Sequence, residues 1–225
     1  MSRTVLRLVE EGARPARLDR DRGLVEAARR DPRHFDALYR KYLAQVYSYA
    51  YYELRDHHAA EDATERVFMQ ALVGLPRFEE RVDAFIASRA AIGPDDAGNS
   101  SDMSTFRVWL FRIARNVVAN ERRTDRRRPV SSLEDAAELS APGDVVETAA
   151  TREAVGAAWQ AVARLPEDRR RAVILRFVDE MSTAEIAAVL GRSDGAVRVL
   201  LHRALRAVAA DLAAGETSGR RGQLS

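Results

Sequence analysis

The run Ser182-Thr183-Ala184-Glu185-Ile186-Ala187-Ala188-Val189-Leu190-Gly191-Arg192-Ser193-Asp194-Gly195-Ala196-Val197-Arg198-Val199-Leu200-Leu201-His202-Arg203-Ala204-Leu205-Arg206 reads as two helices with a tight turn between them. Ser182 and Glu185 have the spacing of a capping box: the Ser hydroxyl accepts the N–H three residues on, and the Glu carboxylate accepts the N–H of the Ser. The helix that follows, Thr183 to Leu190, turns Ile186, Ala187 and Leu190 to one side. Gly191 supplies the left-handed conformation that side chains resist. Ser193 then caps a second helix, with Val197, Leu201, Ala204, Leu205 and Val208 as its buried stripe. Arg198, Val199, His202, Arg203 and Arg206 are left on or near the outer side. A short-looped second helix that is cationic outside suits a major groove, where arginine neutralises phosphates or forks onto guanine edges. Two packed helices with solvated arginines are the plainer reading, but cap, turn glycine, small-residue packing and charge agree on DNA.

Working outward, the same periodicity covers nearly the whole chain. Upstream, Val155, Ala158, Trp159 and Val162 mark one helix, stopped at Leu165-Pro166, and Arg169 to Val178 a second. In the first half, Asp31-Pro32 is a helix start, followed by Phe35, Leu38, Tyr39, Tyr42 and Val46 at helical spacing. Six tyrosines (Tyr39, Tyr42, Tyr47, Tyr49, Tyr51 and Tyr52) cover too many faces of that helix to be all core. A break near Arg55-Asp56-His57-His58 precedes a second run, Ala60 to Leu75, with Ala63, Val67, Phe68, Ala71 and Leu72 on one face. Residues 79 to 104 are irregular: Ala84 to Ile92 fits a turn or two of helix, and Gly93 to Ser101 is loop by composition. Phe106, Trp109, Leu110, Ile113, Val117 and Val118 restore the helical period. Trp109, Phe111 and Phe68 lie on apolar stripes and are expected in the core.

Charge is segregated. Arg107 to Arg128 holds eight Arg against Glu121 and Asp125, whereas Pro129 to Ala150 holds five acids and no base. The net charge of +2 conceals this contrast, which suggests two surfaces with different partners. The fold expected is all-α: two small helical domains joined by a flexible acidic linker over 129–150. The expected parts are a leading segment at 1–30, a first domain at 31–128 with an insertion at about 80–103, a second at 151–212, and a flexible tail at 213–225. With no cysteine, disulfides, thiolate zinc sites and cysteine nucleophiles are excluded. Neither a phosphate-cradling glycine loop, a nucleophile–base pair nor a metal cluster is visible, so no enzyme activity, cofactor, metal site or small-molecule substrate is expected. His57-His58 reads as loop. No apolar run is long enough to span a bilayer and Met1 to Glu11 lacks a signal-peptide core, so the expected location is cytoplasmic.

Three stretches carry a family resemblance. Ala60-Glu61-Asp62-Ala63-Thr64-Glu65-Arg66-Val67-Phe68 resembles the region-2 helix of extracytoplasmic-function sigma factors, the sigma-70 family's compact promoter-recognition subunits of bacterial RNA polymerase. Phe106-Arg107-Val108-Trp109-Leu110-Phe111-Arg112-Ile113-Ala114-Arg115-Asn116 is similar to the helix that recognises the -10 element. Val173-Ile174-Leu175-Arg176-Phe177, with the Ser182 to Arg206 motif, resembles region 4, which reads the -35 element. The likeness runs from about Asp31 to Leu212.

The resemblance implies that Asp62, Glu65 and Phe68 meet the β′ clamp helices of core RNA polymerase, while region 4 docks on the β flap. It implies that Phe78 and Asn116 line a pocket for a flipped -10 base, with Arg112, Arg115, Arg122 and Arg123 near the DNA backbone. Arg198, Val199, His202, Arg203 and Arg206 would serve the -35 element, and the acidic linker would thread toward the polymerase cleft. Promoter DNA and an anti-sigma factor complete the implied partners. Read on its own, the Glu61, Asp62 and Glu65 face is a solvated helix face.

Three departures stand out. Glu65-Arg66 occupies positions where the family usually has Gln then Glu. Val199 stands where Ser is frequent, which suits a thymine methyl better than a hydrogen bond. The stretch from Phe78 to Trp109 is far longer than the family's short bridge, and its extra segment either modifies -10 recognition, docks a regulator, or is an inert surface insertion. A free-standing helix-turn-helix regulator would account for the C-terminal half but leave Ala60 to Asn116 unemployed. An adaptor that binds polymerase without reading DNA would tolerate loss of Arg198 and Arg203.

Overall fold

The computed structural model describes residues 20–79, 104–125 and 149–222, and among them every regular element is helical. The N-terminal module starts with α1 (Arg22–Arg30), followed by a 3-10 turn at Pro32–His34. Asp31 caps that turn by accepting from the Arg33 N–H at 3.0 Å. Helix α2 (Phe35–Leu54) ends at Arg55, whose φ of 59° places it in the left-handed region. Asp56 then caps α3 (His57–Gly74), accepting from Ala59 N–H at 2.7 Å. His57 and His58 therefore open a helix rather than lie in a loop, and His57 stacks on Tyr51 at 4.4 Å. A 3-10 turn at Leu75–Arg77, where Pro76 removes a helical donor, closes this hairpin. Helix α4 (Thr105–Asp125) packs against both α2 and α3.

The core of this module is the stripe Leu38, Tyr42, Val46 and Tyr49 of α2, facing Val67 and Ala71 of α3 and Phe106, Leu110 and Phe111 of α4. The tyrosines divide as their spacing requires. Tyr42, Tyr49 and Tyr52 are buried, Tyr47 and Tyr51 half-buried, and Tyr39 exposed. Leu72, expected on the inner face, is instead on the surface. Where α1 begins, Asp21 is fully buried and its carboxylate accepts from Lys41 Nζ, Tyr42 Oη and Ser104 Oγ. Burial works to raise the Asp21 pKa, but the hydrogen bonds from Lys41, Ser104 and Tyr42 outweigh it and hold the carboxyl below the usual range. One carboxylate thus pins α1, α2 and the start of α4 together.

The C-terminal module contains α5 (Ala149–Arg164), α6 (Glu167–Phe177), α7 (Thr183–Leu190) and α8 (Asp194–Gly222). The capping box forms as read: Glu185 N–H donates to Ser182 Oγ at 3.2 Å, and Ser182 N–H to Glu185 Oε2 at 2.9 Å. Gly191 sits at φ 66°, ending α7, and Ser193 Oγ accepts from Ala196 N–H at the start of α8. Val197 and Ala204 are buried along α8, but Leu205, expected in that stripe, is 48% exposed. Helix α8 also continues to Gly222, through the span read as a flexible tail. The helix-favouring Ala209-Ala210 and Ala213-Ala214 pairs carry it past Leu212.

The two modules do not stand apart. Helix α4 packs on α7 and α2 on α6, so one buried cluster runs from Val46, Tyr49 and Phe111 into Ile174, Leu175 and Ile186. A smaller cluster of Val162, Leu165, Val173 and Ala204 belongs to the C-terminal module alone. The expected insertion at 80–103, with its turn or two of helix at Ala84 to Ile92, lies outside the described residues, as do 1–19, 126–128 and all but the last two residues of the expected acidic linker at 129–150.

Candidate nucleic-acid interface

Three surfaces carry the residues singled out in the sequence. The first is the outer face of α8. Arg198, Val199, His202, Arg203 and Arg206 are all exposed there, Val199 to 46%. Their spacing puts them along one side of the first three turns, opposite buried Val197 and Ala204. Preceding them, Arg192 pairs with Asp168 of α6 at 2.6 Å, which ties the turn to the module's body. This face can enter a groove: it is cationic, helical and rigidly held by the capped α7.

The second surface is α4. Asn116 is exposed, and Arg112 and Arg115 project from the same side of the helix. Both guanidiniums donate to the last turn of α7, Arg112 Nε to Ala188 O at 2.8 Å and Arg115 Nη1 to Val189 O at 2.9 Å. Arg123 reaches Asn120 Oδ1 on its own helix at 3.0 Å. Arg122, expected beside DNA, turns inward to Glu53 at 2.8 Å, because a fully buried carboxylate requires cationic partners. Phe78 and Asn116 are not brought together. Phe78 is 5% exposed, held by Phe106 at 5.8 Å and Trp109 at 5.1 Å, with Arg29 over its ring. Asn116 lies seven residues beyond Trp109, about 10 Å along the helix axis. Phe78 is therefore part of an aromatic core in this arrangement and not the open wall of a base pocket.

The third surface is the α2–α3 face. A groove of about 390 Å³ is lined by Tyr39 and Leu43 of α2 and Phe68, Met69 and Leu72 of α3. Glu61 and Glu65 also line it, and Asp62 is exposed on the same helix. Phe68 forms its floor, edge-on to Tyr39 at 4.7 Å, rather than projecting outward. Arg66, at the position where acid is usual, bonds to Glu121 of α4 and approaches Asp62 at 3.9 Å, so it serves the module internally. An apolar trough with an acidic rim fits an amphipathic helix carrying basic residues.

Sequence reasoning missed Asp21 and Glu53, the two buried carboxylates that organise the N-terminal module. Glu53 had a signal: it continues the buried stripe Val46, Tyr49 at the next helical step. No group of ligating side chains that could hold a metal ion occurs among the described residues, and no described helix is long and apolar enough to cross a membrane.

Two helical modules, one ending in a capped helix-turn-helix and the other bearing a basic helix beside an acid-rimmed groove, are the parts of a sigma-70 protein. Residues 38–90 match the family Sigma-70 region 2, and residues 156–208 match Sigma-70, region 4. The chain is 33% identical over 179 residues to the ECF RNA polymerase sigma factor BldN of Streptomyces coelicolor, a match covering 78% of this chain and 59% of BldN. It is 30% identical over 175 residues to the ECF sigma factor SigL of Mycobacterium tuberculosis, covering 76% of this chain and 85% of SigL. Against the RNA polymerase sigma-H factor of Pseudomonas aeruginosa the identity is 29%, with coverage of 84% and 92%. Among solved structures, CnrH in complex with the cytosolic domain of CnrY shares the fold, with TM-score 0.58, 24% identity and coverage of 86% and 97%. RpoE in complex with the anti-sigma factor NepR from Bartonella quintana shares it too, with TM-score 0.55, 20% identity and coverage of 79% and 96%. The chain belongs to the extracytoplasmic-function (ECF) group of RNA polymerase sigma factors.

Proposed function

We propose that this sigma factor grips core polymerase through the α2–α3 groove, reads the -10 element with α4, and reads the -35 element with the outer face of α8. The observation that carries this division is the separation of charge. The exposed arginines of α8 and the basic side of α4 offer two cationic tracks, while the groove is apolar with an acidic rim. Phosphates and guanine edges suit the first two, and a protein helix suits the third. Glu65 on the groove's rim and exposed Asp62 on the same helix are the acids toward the β′ clamp, with Phe68 shaping the groove's floor. Arg198, Arg203 and Arg206 serve phosphate or guanine contacts, His202 lies beside them, and Val199 is placed for a thymine methyl. On α4, Asn116, Arg112 and Arg115 form the -10 surface, with Arg123 at its end. Phe78 and Arg122 could join only after rearrangement.

In this reading the chain performs no chemistry itself and works in the cytoplasm; nucleotidyl transfer belongs to polymerase. The region 4 module would also meet the β flap. An anti-sigma factor is the expected antagonist, supported by fold relatives solved with the cytosolic domain of CnrY and with NepR. A free-standing regulator leaves the region 2 match unexplained.

The test is transcription in vitro with bacterial core polymerase, this chain, and its own upstream region as template. A discrete transcript that depends on the chain, and is lost on Asn116→Ala or Arg203→Ala, is the expected result. Tight binding of that DNA by the chain alone, with no transcript in the presence of core, would instead favour the free-standing regulator.

A further inference from the structure

We propose that Ser104 is a positioning residue for promoter reading. Held by Asp21, it fixes where α4 starts and how it is turned, while an Arg66–Glu121 pair ties the far end, so that the outer face of α4 meets DNA at one angle. The functional part rests on the -10 role given to α4 above; the positioning itself stands on geometry within the N-terminal module.

Ser104 is the first described residue after Glu79, and α4 begins directly behind it. Its Oγ accepts from Arg107 N–H at 3.0 Å and its carbonyl from Val108 N–H at 3.2 Å, as an N-cap residue does. The same hydroxyl donates to Asp21, whose carboxylate also accepts from Lys41 Nζ and Tyr42 Oη. An exposed cap needs no such partner, since water meets its hydroxyl. Here Ser104 is 2% exposed and Asp21 is fully buried, so the cap is built into the module. Asp21 directly precedes α1, and Lys41 and Tyr42 belong to α2. Through one hydroxyl the start of α4 is fixed against two other helices.

Apolar packing alone does not hold a helix so closely. Phe106, Leu110, Phe111, Val117 and Val118 bury the inner side of α4, but burial is non-directional and tolerates a small slide or rotation. A hydrogen bond tolerates less, because it weakens steeply with angle. The far end of α4 is tied in the same way. Glu121 meets Arg66 of α3, and Arg122 meets Glu53 of α2 at 2.8 Å. Arg112, Arg115 and Asn116 fall between the ties, about 12–18 Å along the axis from Ser104. A binding constellation works when its side chains are held to within about 10–20°, and the two ties remove the freedom to exceed it.

Two readouts on the full chain test this. The first uses core polymerase and the chain's own upstream region, its -10 element placed from the transcript start and either intact or carrying one mismatched base. Wild type should prefer the intact element about tenfold, within the usual range for one base pair, and Ser104→Ala should cut the preference to about twofold or less. Ser104→Thr, which keeps the hydroxyl, should restore it. Loss of fold lowers the yield on both templates alike, so the ratio separates positioning from stability. Arg66→Glu and Glu121→Arg should each lower the ratio, and the two together should recover it.

The second readout needs no DNA. The chain has no cysteine, so nitroxides can be placed at Val73→Cys of α3 and Thr124→Cys of α4, both exposed. The two helices touch at Gly74 and Trp109, and Thr124 lies about 22 Å further along α4. Pulsed electron resonance should give one narrow distance in the wild type and a broadened or shifted one in Ser104→Ala. An unchanged distance would overturn the positioning, and an unchanged template ratio would overturn its role in promoter reading. A charge-reversed double variant no better than either single one would remove the far tie. Should Ser104→Ala lose helicity, Ser104→Gly, which a helix N-terminus tolerates better, is judged by the same outcomes. Absence of any wild-type transcript would count against the -10 reading and leave the label distance to decide the positioning.

Discussion

Asp21→Ala tests whether one buried carboxylate holds the N-terminal module together. The substitution leaves three donors behind. Tyr42 is buried and Ser104 is only 2% exposed, so their hydroxyls lose a partner without gaining water; each should cost about 1–2 kcal/mol. The Lys41 side chain is 31% exposed and can turn to solvent, so its share is about 0–1 kcal/mol. Together this is about 3 kcal/mol, or a fall in Tm of about 12–24 °C for a module of this size. Asp21→Asn keeps one of the two acceptor oxygens but not the charge and should lose about half as much. Thermal unfolding followed by circular dichroism at pH 7 reads both variants. The sign of the acid limb is fixed by the carboxyl being held below its usual range. Its stabilisation is present above the unfolded value of about 3.9 and is lost as pH falls through the lower folded value. Wild type and Asp21→Ala should therefore converge as pH falls through that lowered folded value. An Asp21→Ala Tm within ~3 °C of wild type at pH 7 would refute the reasoning.

Three other outcomes follow from the same structure. Gly191→Ala meets no neighbouring atom, only the strain of φ 66°, so it should destabilise the C-terminal module by about 1–2 kcal/mol in urea unfolding, with the slope unchanged. Asp179 is buried and its pKa is raised well above the usual value by burial, with Arg107 pulling the other way. Arg107 faces it from α4, Glu185 lies beside Arg107 on α7, and Tyr49 and Tyr52 feel its charge from α2. The stability it contributes is present below about pH 4 and is lost as pH rises through its raised folded value, at up to ~1.4 kcal/mol per unit. Asp179→Asn should raise Tm at pH 7 and flatten the profile as pH rises through that raised folded value; a Tm at pH 7 below wild type would count against the buried-acid account. Arg203→Ala should weaken binding of a -35 duplex by holoenzyme by about 1–3 kcal/mol if it forks onto a base. A loss equal on all sequences, with a smaller salt slope, would assign it to phosphate.

What could be read from the sequence was what depends on neighbours along the chain. The Ser182–Glu185 capping box, the left-handed Gly191 and the cap at Ser193 each follow from a few adjacent residues, and all form. The exposed strip of α8 was likewise legible, since Val197 and Ala204 fix which side is inward. Errors arose where periodicity ran beyond the packing partner. Leu72 and Leu205 continue apolar stripes but find nothing to cover them. Helix α8 persists past Leu212 because alanine propensity does not need a core. The resemblance puts Phe78 in the lining of a base pocket; in this arrangement its ring is instead buried beside Phe106 and Trp109, where an aromatic gains most from lost water contact.

Glu53 shows where local reading stops. Its place on the Val46–Tyr49 stripe marks it as buried, and a buried carboxylate demands cations. With 36 basic residues in the chain, nothing local selects Arg122, Arg170 and Arg171 from the rest. Two of those three sit more than a hundred residues away, across the acidic linker, so their choice depends on how the modules meet and not on any pattern within either. The same holds for Arg112 and Arg115. Their position on α4 is fixed by the apolar stripe beside them, but whether they face phosphate or the carbonyls of α7 is decided only by what lies opposite. A basic helix face therefore specifies a chemistry of partner, an array of anionic or carbonyl oxygens, and tertiary packing determines which array is met first.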